Sequence, residues 1–267
     1  MDLLGFALGT KAIINMLQSD KMNTEAEKRV VKALNRQSDA ENKLYNQKRL
    51  TEQSLKKLVN RKKGIISTSI ADFISLYERI GKINFNQSDG MSELLEGSQL
   101  STIVNEMQGL ITVANKSLTP QQTYITFLLG GVPGLIKKEA ELNLANAKML
   151  DSTSRVVESQ AESIIVVLDS IYQVSERISK LLAQLNLLLR KSIETTSLII
   201  EKNGRSRLNY SQQDKDCIRT LINTADAVKK IIDAPLFEKD GKISQKAREV
   251  IEIGENYLKE INMMIIS

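Results

Sequence analysis

The chain has 267 residues, 42% hydrophobic but only 4% aromatic and without Trp, so its core must be built from Leu, Ile and Val. It carries 37 basic and 32 acidic residues, a formal charge of +5, and a pI near 9.1. With no His and a single Cys, Cys217, an internal disulfide, the usual Cys/His zinc sites and any Ser–His or Cys–His nucleophile pair are excluded.

Proline is as informative as the missing histidine. Only Pro120, Pro133 and Pro235 occur, and 134–234 contains none. A β or α/β domain needs more frequent turn punctuation than this. The expected fold is all-α: an elongated antiparallel helical bundle, one domain over 1–267, with one very long helix at about 135–202 and an apolar hairpin tip. The opening Met1-Asp2-Leu3-Leu4-Gly5-Phe6-Ala7-Leu8-Gly9 lacks the basic region of a secretory signal, and no run of about 18–20 apolar residues is present. A cytoplasmic protein, peripheral at most to the inner membrane, is the expectation.

In chain order, 24–81 reads as helix. Its apolar face runs through Leu44, Leu55, Leu58, Ile65, Ile66, Ile70, Phe73, Ile74, Tyr77 and Ile80 and is richer in its second half. A turn at 81–90, with Asp89-Gly90, precedes a helix expected from Ser92 to about Asn115. Thr119-Pro120-Gln121-Gln122 is a strong helix start, with Thr as cap, Pro in the first turn and Gln at the capping-box position. Gly130-Gly131-Val132-Pro133-Gly134 interrupts that helix. In the long helix that follows, Leu150, Val157, Ile164, Ile171, Ile178 and Leu185 recur every seventh residue. A companion row holds Leu168, Ser175, Leu182 and Leu189, and a third holds Val167, Val174, Leu181 and Leu188. So wide a stripe suits a helix packed against several neighbours rather than the narrow seam of a two-stranded coiled coil. Asn203-Gly204 should end this helix, Ser211 should cap one running to Ala234-Pro235, and Ser244 should start the last, after an Asp240-Gly241 turn.

Catalytic constellations are missing from the pattern. The Gly130–Gly134 run lacks the Lys-Ser/Thr of a phosphate loop, and Glu238-Lys239-Asp240-Gly241 lacks the spaced oxygens of a calcium loop. No enzyme activity, cofactor or metal is expected. Two surfaces stand out instead. Residues 117–136 carry no charge between Lys116 and Lys137. Too short to span a bilayer, this run suits a hairpin that enters it shallowly or meets an apolar partner. Tyr124, Phe127, Leu128, Leu129, Val132, Leu135 and Ile136 would make that contact, with Lys137 and Lys138 at the headgroups. The alternative is a turn buried in the bundle. The second surface is basic: between Lys21 and Lys63 there are 13 Lys/Arg against 5 Asp/Glu. Lys48, Arg49, Lys56, Lys57, Arg61, Lys62 and Lys63 form a candidate face for acidic lipid, unless it is simply a solvated helix. Nucleic acid is unlikely as its target, because no aromatics interleave with these residues or with Arg205 and Arg207.

The opening nonapeptide and the Asp233-Ala234-Pro235-Leu236-Phe237-Glu238-Lys239-Asp240-Gly241-Lys242-Ile243-Ser244 run leading into a terminal helix carry a resemblance. Together with the order helix, apolar insert, long helix, they resemble a group of bacterial helical proteins labelled chemotaxis-like, whose members carry a central Gly/Ala-rich hydrophobic segment. The insert is here reduced to 127–136. The resemblance implies a helical fold and no catalytic residues. By architecture alone there is also an analogy to α-helical pore-forming toxins. The expected function is therefore non-enzymatic membrane association or perturbation through the apolar hairpin. The alternative is a cytosolic scaffold or adaptor binding partner helices. The apolar runs at 3–8 and 263–266 are expected to pack onto the bundle, with membrane contact or the seam of a homo-oligomer as alternatives.

Overall fold

The computed structural model describes residues 24–83, 85, 91, 98–129, 161–238 and 241–266. Among these the chain is 85% helical and has no strand, only a single bridge between Phe237 and Ile243. The fold is all-α. The expected start of a helix at Ser92, the 130–136 part of the tip and the 135–160 part of the long helix lie outside the described residues.

Helix α1, Thr24–Ile65, passes through a five-residue π turn, Ile66–Ile70, into α2, Ala71–Ile80. Both junction residues, Ile65 and Ala71, keep right-handed helical dihedrals, so the axis is not broken. Next come α3, Ser98–Ala114, and α4, Pro120–Leu128. Helix α5, Ala161–Asn203, is followed by a 3-10 turn at Arg207–Asn209, α6, Gln212–Asp233, and α7, Gln245–Ile266.

Local signals fix most of these ends. Thr119 and Gln122 exchange side-chain and main-chain hydrogen bonds in a capping box that opens α4. Ser211 and Asp214 form a second capping box at the start of α6. Ser244 Oγ accepts from the Ala247 amide at the start of α7. At the end of α5, Gly204 takes φ 67°, the left-handed conformation that a side chain resists and that lets its amide reach Ile200. Tyr210 then clamps the turn by donating to the Gly204 carbonyl at 2.6 Å and meeting Phe85 edge to face.

The heptad rows meet the core in the middle of α5. Ile178, Leu185, Leu182, Leu189 and Leu181 are all buried, as is Ser175. Towards the start of α5 the stripe thins: Ile164 and Ile171 are half-buried and Val167 is 56% exposed. One cluster of buried side chains draws on α1 to α7, including Leu58, Ile66, Phe73, Met107, Phe127, Leu182, Ile222 and Ile251. Close approach is built in at Gly254 of α7. A Cβ there would stand 2.6 Å from a Leu181 methyl and 3.2 Å from an Ile231 methyl, so a larger residue seats α7 against α5 and α6 only if those side chains shift.

The expected antiparallel arrangement does not hold for the two longest helices. Hydrogen bonds between the α1–α2 helix and α5 join Gln47 to Asp169, Thr51 to Leu168, Ser54 to Ser175 and Glu176, Lys57 to Glu176, Arg61 to Ser179, and Arg79 to Ser197. The partners stay 117–122 residues apart along the whole seam. Constant separation means the helices run parallel; an antiparallel pair would close by two residues per step. The reason is connectivity. The 81–160 stretch is long enough to carry the chain back, whereas only short connections force neighbouring helices to be antiparallel. Helix α6 returns along α5 through the short 204–211 turn and is antiparallel to it. The α1–α5 seam is also polar: the Ser54 and Ser175 hydroxyls meet at 2.6 Å, and the Thr51 hydroxyl donates to the Leu168 carbonyl at 3.0 Å.

Candidate functional site: a buried lysine under the apolar segment

Lys62 stands four residues after Leu58 and four before Ile66 on α1, so helical geometry places it on the apolar face. It is 1% exposed. Its Nζ donates to three main-chain carbonyls: Phe127 at 3.1 Å, Ile232 at 2.9 Å and Ala234 at 3.0 Å. Phe127 lies in the last turn of α4, and Ile232 and Ala234 lie at the end of α6. Final-turn carbonyls have no partner within their own helix and carry the negative end of its dipole, so an ammonium that serves two such ends is well placed. Three donors meet three acceptors, and the group is fully satisfied.

Burial pulls the Lys62 pKa down from 10.5 to about 8, against the opposing pull of Asp233. Asp233 belongs to a second cluster around Lys229, whose Nζ lies 2.7 Å from Asp233 Oδ2 and 2.5 Å from Glu106 Oε2 of α3. Burial, helped by the Glu106 charge, raises the Asp233 carboxyl by more than Lys229 and Lys62 lower it. Burial also pulls Lys229 down, but its two carboxylates outweigh this and hold it above its ordinary value. The directions for Lys229 and Asp233 conflict as a simple ion pair. Geometry resolves the conflict: Asp233 is the more enclosed carboxylate, its Oδ1 has no hydrogen-bond partner, and it shares Lys229 with Glu106.

The end of the apolar segment is bound to this site through its backbone. The Leu128 carbonyl accepts from the Leu236 amide at 2.7 Å and from the Phe237 amide at 3.2 Å. Leu236 and Phe237 lead into a small turn in which the Ser244 amide donates to the Leu236 carbonyl at 2.9 Å and the Ser244 hydroxyl donates to the Pro235 carbonyl. Leu236 is fully buried.

Expectations for the two candidate surfaces divide accordingly. Phe127, at 2% exposure, and Leu128, at 4%, are core side chains and do not present a contact surface in this conformation. The reason is the Lys62 and Leu236 anchors, which draw the end of α4 into the bundle. Leu129 is half-buried. Val132, Leu135, Ile136, Lys137 and Lys138, and the Tyr124 side chain, lie outside what the structure describes. On α1, Lys48, Arg49, Lys56 and Lys57 are exposed. Lys57 pairs with Glu176 at 2.8 Å and holds that carboxyl below its ordinary value. Arg61 is half-buried and turned into the seam, donating to the Ser179 carbonyl at 2.5 Å. Lys62 is the clear correction to the basic face, because it points into the core and away from any lipid or acidic partner. Lys63 is half-buried.

Glu106, Lys229 and Asp233 were not singled out in the sequence, and the i, i+4 spacing of Lys229 and Asp233 is too common on helix surfaces to have marked them. Chemically the site holds two helix ends together through one ammonium group. Lys62 is saturated by carbonyls, and neither the 530 Å³ cleft beside Arg177, Arg248 and Glu255 nor the 350 Å³ cleft beside Lys229, Asp233 and Ile253 is lined by it. Among the described residues no group of three or more His, Cys, Asp or Glu could hold a metal ion. No helix among them is long and apolar enough to cross a membrane. The chain matches no family of known proteins, no curated protein and no solved structure, so function is argued from these residues alone.

Proposed function

We propose that this is a non-enzymatic, membrane-associating protein of bacterial helical type, acting at a bilayer surface through the uncharged 117–136 segment. The single observation that carries the reading is how α4 is held. This nine-residue helix contains no charged side chain. It sends two large apolar side chains, Phe127 and Leu128, into the core. Main-chain carbonyls at its last turn secure it. A helix this short is not stable by itself. Its burial is a stored state of an apolar element that could be exchanged for burial in lipid, at about 1.5–3 kcal/mol for each large side chain transferred. The exposed Lys48, Arg49, Lys56 and Lys57 would add attraction to anionic headgroups, worth about 1 kcal/mol per charge near the surface.

The test is co-sedimentation with vesicles of phosphatidylethanolamine and phosphatidylglycerol, over a salt series. Binding that weakens with salt but persists at high salt is the expected result, since the apolar part is not screened. Absence of binding, both by the wild type and by a variant whose α4 has been shown to open, refutes the membrane reading. A second reading, a scaffold for partner helices, is favoured by Leu187 and Leu198, which are 69% and 61% exposed along α5. Recovery of the protein only in the soluble fraction, together with a helical partner captured by α5, would favour it.

A further inference from the structure

We infer that Lys62 is a latch: by joining the last turn of α4 to the end of α6 through one ammonium group, it keeps Phe127 and Leu128 hidden in the bundle, and its loss frees α4 to present them. The inference builds on the membrane reading for its purpose. As a statement about how α4 is held, it is tested separately.

Beside the burial of Thr126, Phe127 and Leu128, the polar attachments of α4 among the described residues are few. Its N-terminal end is closed on itself by the Thr119–Gln122 capping box. With no charged residue, the helix cannot form an ion pair with any neighbour. Its C-terminal end is fixed by Lys62 on the Phe127 carbonyl and by the Leu236 and Phe237 amides on the Leu128 carbonyl. Of these anchors Lys62 alone is ionisable, and it joins the last turn of α4 to the end of α6. If Lys62 were lost, a docked α4 would bury the Phe127 carbonyl without this donor, whereas an undocked α4 leaves it to water. Removing the lysine therefore acts against the docked state in particular.

The same contact responds to protons. The charged groups around Lys62 are Asp233 and Lys229 from α6 and Glu106 from α3, while α4 offers none, and Arg61 on its own helix is turned towards Ser179. Docked, the lysine has its pKa lowered to about 8. When α4 opens, water reaches the ammonium and its pKa moves back towards the ordinary value, while the Ile232 and Ala234 carbonyls still hold it. The docked state thus binds protons more weakly, and protonation loosens it. Linkage gives a fall in the docking constant from pH 9 to pH 7 of at most about tenfold, and almost none below that.

Hydrogen exchange of full-length protein, followed by mass spectrometry, tests this. In Lys62→Met the amides of α4 are expected to exchange faster by tenfold or more beyond any loss of protection that they share with the centres of α5 and α6. Unchanged protection of α4 overturns the latch. If Lys62→Met unfolds as a whole, the wild type decides: after correction for intrinsic rates, the opening of α4 alone should rise, by up to about tenfold, between pH 9 and pH 7. A pH-independent opening of α4 overturns the inference. Vesicle binding measured on the same variant separates the two claims. Faster α4 exchange with increased vesicle binding supports both, and faster exchange without binding leaves the latch in place but removes the membrane as its purpose.

Discussion

Replacing Lys62 by Met keeps the length of the side chain and deletes its charge, and the consequence for overall stability can be worked through with its sign. Lys62 is 1% exposed, and burial lowers its pKa from 10.5 to about 8. At about 1.4 kcal/mol per pH unit, holding the ammonium inside costs on the order of 3 kcal/mol relative to the unfolded chain. Below about pH 8 both states carry the proton and the cost is present in full. Between about pH 8 and about 10.4 the native state has released the proton while the unfolded chain still binds it, so stability rises with pH. Met carries no such cost at any pH. It leaves the carbonyls of Phe127, Ile232 and Ala234 without this donor, at about 1–3 kcal/mol for each that stays buried and unpaired. The variant should therefore be less stable throughout, and the gap should widen by about 3 kcal/mol from about pH 7 to about pH 10.5. Urea unfolding of both proteins at matched pH, with equal m-values, measures that gap. A gap constant to within about 0.5 kcal/mol would mean that Lys62 is hydrated in the native protein, and the burial argument would fail. Asp233→Asn in the wild-type background removes the neighbouring charge that favours the ammonium, and should move the rise to lower pH.

Three further outcomes are expected. Gly254→Val should lose about 2 kcal/mol or more by forcing side-chain atoms into Leu181 and Ile231, whereas Gly64→Ala, with nothing within 4 Å, should gain up to about 1 kcal/mol; thermal melts distinguish them. Ile178→Asp should cost several kcal/mol, because it leaves an unpaired charge at a site 1% exposed, and Ile171→Asp should cost clearly less at its half-buried position; equal melting shifts would put the face assignment of α5 in error. Ser211→Ala should cost about 1 kcal/mol by opening the capping box of α6, seen as a lower urea midpoint with unchanged m-value.

What could be read from the sequence was local. Thr119, Ser211 and Ser244 announce helix starts because a short side-chain oxygen satisfies amides only a few residues away, and Gly204 announces an end because only glycine turns left-handed without strain. The rows through Ile178 and Leu185 were legible because a helix repeats its face at fixed intervals. Direction was not legible: the seam positions Thr51, Ser54 and Ser175 carry no mark that α5 runs alongside α1 rather than against it. Lys62 lay between these cases. Arg61-Lys62-Lys63 reads as a solvated basic cluster by composition, and only the spacing from Leu58 to Lys62 to Ile66 puts the middle residue inside. The partners that make its burial tolerable are carbonyls, which every residue carries, so no side-chain pattern could announce them. The apolar segment was ambiguous for a related reason: Phe127 and Leu128 look the same in sequence whether they face a core or a bilayer.

The parallel seam also sets a timetable for synthesis. Each of its contacts waits for a residue 117–122 positions further along the chain. At about 5–20 residues per second, a newly made α1 spends roughly 6–24 s on the ribosome with its seam face bare. By contrast α6 follows α5, and α7 follows α6, across short turns, so that these can pair as soon as they emerge. The carboxyl-terminal helices should thus assemble quickly as a platform onto which the much older α1 must then settle, and the slow step of folding should be this late docking across a long loop. The bonds from Lys62 to Ile232 and Ala234 wait longer still, for partners 170 and 172 residues further on, so the anchor of α4 is complete only after α6 is made. The nascent protein accordingly passes through an interval in which its apolar segment is free before the finished bundle can conceal it.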